Sequence, residues 1–293
     1  MFSYTIFPVS RFRILRPRLY WSSCPSSEEL RVLRDQGLSL VVDLTENECS
    51  YDVPQGVERL AFPIPDFSFR SPEVVFYKVV EPAKREVESG GTVLVHCMGG
   101  IGRSGTVAAM LLVILDRMTL DGALSRVRRL GGGPQVPAQA TALRWFERNV
   151  STIGYSKYLS FSERITTLGD RRADHVSSRI NLALDILSEL GLSGLQPEQI
   201  FECMIDALVT GTQTACLPSS LGEAAGDVLR LAEIVGNVFY GEGLYVGLEK
   251  RNGKLYLLLN GFVAAGELAS RLRSFIKGSR FLKDLMDVEE VFE

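Results

Sequence analysis

Histidine is nearly absent from this 293-residue chain, with two copies. Its five cysteines, at 24, 49, 97, 203 and 216, have neither the close spacing of a metal site nor the even number of a disulfide framework. No metal and no cofactor are therefore expected, and unpaired cysteines imply a reducing compartment. Long apolar runs are missing too. The longest, Val107 to Leu115, falls far short of the ~20 residues that cross a bilayer. Phe2 to Val9 is short and broken by Pro8, and Arg11, Arg13, Arg16 and Arg18 follow it rather than precede it, unlike a secretory leader. These absences predict a soluble cytoplasmic protein with no membrane partner. Positive charge is not in excess either: 32 basic against 35 acidic residues leave a net charge of −3, which argues against nucleic acid as the main ligand.

What the chain does contain is concentrated in one segment, His96-Cys97-Met98-Gly99-Gly100-Ile101-Gly102-Arg103-Ser104-Gly105-Thr106. The apolar, β-branched run Thr92 to Val95 before it reads as a buried strand, and Val107 to Leu115 after it reads as a buried helix. A glycine-rich loop between strand and helix can turn several amide N–H groups, together with the helix N-terminus, toward one anion. Arg103 adds a planar fork that holds two phosphoryl oxygens at once. A thiol has an ordinary pKa of about 8.5, so a cysteine nucleophile needs the positive surroundings that such a loop supplies. The residue types thus point to attack on a phosphate by Cys97, cradled by Met98, Gly99, Gly100, Ile101, Gly102 and Arg103.

This string resembles the signature of the cysteine-based protein tyrosine and dual-specificity phosphatases. Leu19-Tyr20-Trp21-Ser22-Ser23, Val41-Val42-Asp43-Leu44 and Ile64-Pro65-Asp66-Phe67 follow the family's order, so the resemblance covers roughly residues 15 to 150. It implies a phosphomonoester hydrolase working through a phosphocysteine, with Cys97 as nucleophile, Arg103 on the phosphoryl oxygens, and Asp66 on a Pro-flanked loop as general acid. Asp43, Glu46 and Asp52 are alternative acids. Ser104 would hydrogen-bond the sulfur, His96 would orient the loop, and Gln139 would position water. The resemblance also raises a disulfide between Cys49 and an oxidised Cys97. A phosphorylated protein or peptide is the expected partner. Relatives acting on phosphoinositides, nucleotides or RNA 5′-phosphates often carry lysines in this loop, and here there are none. An inactive phosphate-reading module would be expected to lack the cysteine, the arginine or the aspartate, and all three are present.

Strands over 40–44, around 60–62 and over 92–95 alternate with helices over 27–36, 74–89, 105–117, 120–130 and 138–149. This order predicts an α/β fold with a mainly parallel sheet flanked by helices. Residues 1–150 are expected to form this phosphatase domain. Residues 151–293 carry 14 basic and 19 acidic residues and show helical spacing over 171–190, 197–209, 221–238 and 264–276. Asn252-Gly253, between the apolar runs 244–248 and 255–259, predicts a β-hairpin. A second, mostly helical α+β domain of accessory role, without a catalytic cluster, follows from this pattern.

Overall fold

In the computed structural model, residues 12–191, 197–210, 222–235, 245–260 and 265–291 are described. The chain forms two compact units. One holds the chain through Phe69 together with Val75–Glu147; the other holds Arg70–Val74 together with the chain from Arg148 onward.

The first unit is built on a five-stranded sheet. Its strands are β1 (Arg13–Arg16), β2 (Leu19–Ser22), β3 (Leu38–Asp43), β4 (Glu58–Ala61) and β5 (Thr92–His96), in the order β1-β2-β5-β3-β4. Every pairing is parallel except the antiparallel edge pair β1–β2. All five residues of β5 are buried, as an apolar run in a sheet covered on both faces must be. Strand β5 lies between β2 and β3, so the loop leaving its carboxyl end emerges at the crevice where α/β sheets bind ligands.

Helix α1 (Ser27–Asp35) starts at a capping box between Ser26 and Glu29 and buries Leu30 and Leu33 against Leu38, Val41 and Leu94. The next helical stretch runs through α2 (Pro72–Val75), a π-helical turn (Phe76–Val80) and α3 (Glu81–Glu88). Pro82 offers no N–H to a ladder, and the wide turn falls directly before it. Helix α4 (Arg103–Leu115) begins two residues earlier than its apolar pattern suggests and is buried from Arg103 through Leu112. Helices α5 (Leu120–Arg129) and α6 (Pro137–Ile153) follow, and Phe146 of α6 meets Phe76 at 5.6 Å between ring centroids.

The second unit contains α7 (Tyr155–Thr166), α8 (Asp170–Glu189), α9 (Pro197–Thr210), α10 (Gly222–Val235) and α11 (Ala265–Gly278). Its sheet contains the expected hairpin, β6 (Tyr245–Arg251) and β7 (Lys254–Asn260), turned at Asn252 and Gly253 with φ of 51° and 80°. A third strand, β8 (Met286–Glu290), pairs parallel to β7. The expected helix over 221–238 and the starts of the 244–248 and 264–276 segments lie partly outside the described residues. Among the described residues, no helix is long and apolar enough to cross a membrane.

Segment 70–74 is held inside this second unit by a buried polar cluster. Asp174 pairs with Arg70 Nε at 2.5 Å and accepts from the Ser71 amide and hydroxyl at 2.8 and 2.7 Å. Glu73, fully buried, accepts from Asn149 Nδ2 at 2.9 Å, Tyr158 OH at 3.1 Å, Asn181 Nδ2 at 3.2 Å and the Ser177 hydroxyl. Burial pushes its carboxyl above the ordinary carboxylate range, although these donors favour the charged form.

Candidate active site

Cys97 follows β5 directly and is 2% exposed. The loop it opens is shaped by where its carbonyls go. Met98 O accepts from the Cys24 amide at 3.1 Å, Ile101 O from the Gly133 amide at 3.0 Å and Gly102 O from the Thr106 amide at 2.8 Å. Gly100 O accepts from Arg13 Nη1 at 2.7 Å. In a planar trans peptide the N–H points opposite the C=O, so three carbonyls committed to neighbouring segments and a fourth committed to the first turn of α4 turn the amides of residues 99, 101, 102 and 103 the other way, toward the concavity. Gly100 needs its missing Cβ: its φ is +66°, and a Cβ there would lie 2.4 Å from the Ser23 nitrogen.

Ser104, in the first turn of α4, brings Oγ to 3.1 Å from Cys97 Sγ. The indole Nε1 of Trp21 donates to the same oxygen at 2.9 Å. An indole nitrogen can only donate, so the serine oxygen accepts there and its single proton stays available to a thiolate at Cys97. Trp21 is fully buried, lies under the Arg13 guanidinium at 4.5 Å and packs where a Cβ on Gly132 would stand.

Arg103 is buried and donates from Nη1 to Ile64 O at 2.8 Å and to Glu48 Oε1 at 3.1 Å. Its Nη2 lies 3.2 Å from Asp66 Oδ1. Asp66 is exposed and accepts from the Phe67 amide at 3.0 Å, in a turn that puts Phe67 at a φ of 52°. Phe67, Met98 and Ile101 are 64%, 46% and 39% exposed, and so give an apolar character to the loops that carry the acid and the cysteine.

His96 is fully buried, with Nε2 at 2.7 Å from Tyr51 OH and 3.5 Å from Asp43 Oδ1. The Tyr51 proton goes to Asp43 Oδ2 at 2.9 Å, which makes His96 Nε2 the donor to the tyrosine oxygen. Burial, supported by the charges of Arg59 and Arg103, holds the imidazole below its ordinary value against the pull of Asp43. Asp43 itself is pushed up by burial but ends below the ordinary range, because Thr45, His96 and Tyr51 stabilise its charge. Its oxygens are engaged by Thr45, Tyr51 and Arg59. Glu46 and Asp52, the other alternative acids, are exposed.

Gln139 is 1% exposed and spends its amide on backbone, accepting from the Gln135 amide at 2.8 Å and donating to Ser68 O at 3.3 Å. It thereby ties the start of α6 to the loop that carries Asp66.

The cysteine expectations need correction. Cys24 and Cys49 form a disulfide, their Cα atoms 5.8 Å apart, and Cys203 is also disulfide-bonded. Cys97 is the free cysteine among the described residues, and Cys49 is paired with Cys24 rather than with it. The chain folds residues 25 apart onto neighbouring loops, a proximity invisible in their spacing. Unpaired cysteines therefore no longer argue for a reducing compartment. Sequence reasoning also passed over Glu48, Tyr51 and Arg13, whose polar groups reach the site only through the fold; the exposed run Glu46 to Glu48 reads as solvated charge.

A family model described as "Polymorphic toxin system, DSP-PTPase phosphatase" matches residues 17–116. Over 120 residues the chain is 31% identical to Dual specificity protein phosphatase 2 of Mus musculus, covering 40% of this chain and 36% of that protein. It is 28% identical to Dual specificity protein phosphatase PHS1 of Arabidopsis thaliana over 120 residues, covering 40% of this chain and 13% of that one. The solved structure of Tk-PTP in the active form aligns with a TM-score of 0.45 at 33% identity, covering 49% of this chain and 99% of that chain. The chain thus spans well under two thirds of these two curated relatives.

Proposed function

We propose that this chain, whose residues 17–116 belong to the cysteine-based dual-specificity phosphatase family, hydrolyses phosphomonoesters through a phosphocysteine on Cys97. The observation that carries the reading is the convergence on one loop of a buried cysteine, a serine donor 3.1 Å from its sulfur and an arginine 3.2 Å from Asp66. Sγ attacks phosphorus as the ester oxygen leaves with a proton from Asp66, while Arg103 and the inward amides take up the charge that spreads over the phosphoryl oxygens. Water then attacks the phosphocysteine and gives its proton to Asp66, and the sulfur departs as a thiolate toward the Ser104 hydroxyl. His96, neutral and fixed by Tyr51, holds the cysteine end of the loop in place.

The substrate is a phosphorylated protein, with phosphotyrosine among its residues. The exposed Phe67, Met98 and Ile101 offer an apolar surface suited to an aromatic ring next to the phosphate. The matched curated relatives are dual-specificity protein phosphatases, which supports the same reading.

Cys97→Ser is the direct test. It is expected to abolish hydrolysis of an aryl phosphate and of phosphotyrosine peptides while still binding inorganic phosphate, because the amides and Arg103 remain. Substantial turnover by this variant would sink the mechanism. Turnover of phosphoinositides or nucleotides in preference to phosphopeptides by the unaltered chain would sink the substrate assignment.

A further inference from the structure

Both Nη1 protons of Arg103 are committed, one to Ile64 O and one to Glu48 Oε1. Its Nε makes no hydrogen bond to the described residues, so the Nε–Nη2 edge is the one left to grip two phosphoryl oxygens. Glu48 sets that orientation from the solvent side: its carboxylate is one-third exposed and its other oxygen is held by the Glu46 amide at 2.6 Å. The next residue is Cys49, bonded to Cys24, and the Cys24 amide donates to Met98 O of the catalytic loop at 3.1 Å. The disulfide thus joins the loop that aims Arg103 to the segment after β2, whose Cys24 amide is hydrogen-bonded to the loop that cradles the phosphate. Cys24 is half-buried, within reach of a small reductant.

We propose that Glu48 is a positioning residue for Arg103 and that the Cys24–Cys49 disulfide holds it there, so that reducing this bond lowers the rate of phosphoryl transfer. The inference rests on the reading of Arg103 as the phosphate-gripping group. Reduction is by a dithiol: one thiolate attacks a sulfur of the disulfide and forms a mixed disulfide. The second thiol then closes on it, leaving two protein thiols and one cyclic disulfide, with two electrons and two protons transferred. The expected direction is opposite to the protection that a dithiol gives a cysteine nucleophile, and this makes it diagnostic.

The test uses the full chain and an aryl phosphate substrate. Thiols are titrated in each sample, and inorganic phosphate binding is measured in parallel. The dithiol-reduced chain and the double variant Cys24→Ser/Cys49→Ser are expected to share a kcat roughly 10-fold below that of the oxidised chain, with weaker phosphate binding, the scale on which a small misplacement of a gripping group is felt. The double variant should no longer respond to dithiol. Glu48→Ala should show the same loss with its disulfide intact, and Glu48→Gln should recover most of it, since its amide oxygen still accepts from Nη1. If the double variant does not fold by circular dichroism, the comparison of Glu48→Ala with Glu48→Gln decides alone. A kcat equal in the oxidised and reduced chain, or a Glu48→Ala variant at the level of the unaltered chain, overturns the proposal. No hydrolysis in either redox state overturns the phosphatase reading instead.

Discussion

Replacing Ser104 with alanine should change which step limits turnover. The Trp21 indole donates to Ser104 Oγ at 2.9 Å, which leaves the serine proton available to a thiolate on Cys97 Sγ, 3.1 Å away. When the phosphocysteine breaks down, negative charge collects on that sulfur and the hydroxyl becomes a donor to a charged group, an interaction of about 1.5–3 kcal/mol. At 1.36 kcal/mol per factor of ten, losing it should slow this step by roughly 10- to 150-fold. Formation of the phosphocysteine should suffer far less, because a less stabilised thiolate is also a better nucleophile. Rapid mixing with an aryl phosphate should therefore give a burst of released phenol close to one per enzyme, followed by a slow steady state. Trp21→Phe removes the indole donor to Ser104 along with part of the packing under Arg13; the lost neutral hydrogen bond of about 1 kcal/mol should by itself slow the same step by about 5-fold. In the Ser104→Ala background Trp21→Phe should cost less than it does in the unaltered chain, because there is no hydroxyl left to aim and only the packing under Arg13 is still lost. An unchanged steady-state rate without a burst, or losses that simply multiply, would refute the relay.

Asp66→Asn should lower the rate by roughly 100- to 10,000-fold on alkyl phosphates and far less on a phosphate with an activated leaving group; equal losses on both, read from kcat/KM, would remove Asp66 from the acid role. Burial raises the Glu73 carboxyl, so the folded state binds its proton more tightly than the unfolded state does. The resulting stabilisation is present below the unfolded carboxyl value of about 4.3 and is lost as pH rises through the folded one, so urea midpoints of the unaltered chain minus those of Glu73→Gln should fall with rising pH. A difference independent of pH from 4 to 8 would contradict this assignment. A fragment ending at Asn149 keeps every residue of the proposed mechanism but strips Tyr158, Ser177 and Asn181 from Glu73, and Asp174 from Arg70 and Ser71. Segment 70–74 then loses the packing and the hydrogen bonds that hold it, so the fragment should melt well below the full chain by circular dichroism. An equal melting temperature would show that segment 70–74 does not need these partners.

The parts legible in the sequence were those governed by short-range rules. A cysteine, three glycines and an arginine within seven residues, between a β-branched run and a small-residue apolar run, can hardly avoid forming a strand, an anion cradle and a helix. The Asn252-Gly253 turn was legible because few residues accept its positive φ values. Weak or short patterns were not: Arg13–Arg16 is a four-residue edge strand and Met286–Glu290 alternates acid with apolar, so both become strands only because a neighbour offers a ladder. The same limit applied to the chemistry. Cys97, Arg103 and Ser104 are fixed by one motif, but the hold on each comes from Trp21, Glu48, Arg13 and the Ile64 carbonyl, all at least 39 residues away. The Cys24–Cys49 bond and the capture of residues 70–74 by the unit that begins at Arg148 are of this kind. Pairing of distant groups depends on where the sheet order and the loops bring them, and that is decided by packing of the whole chain, on which local propensity is silent.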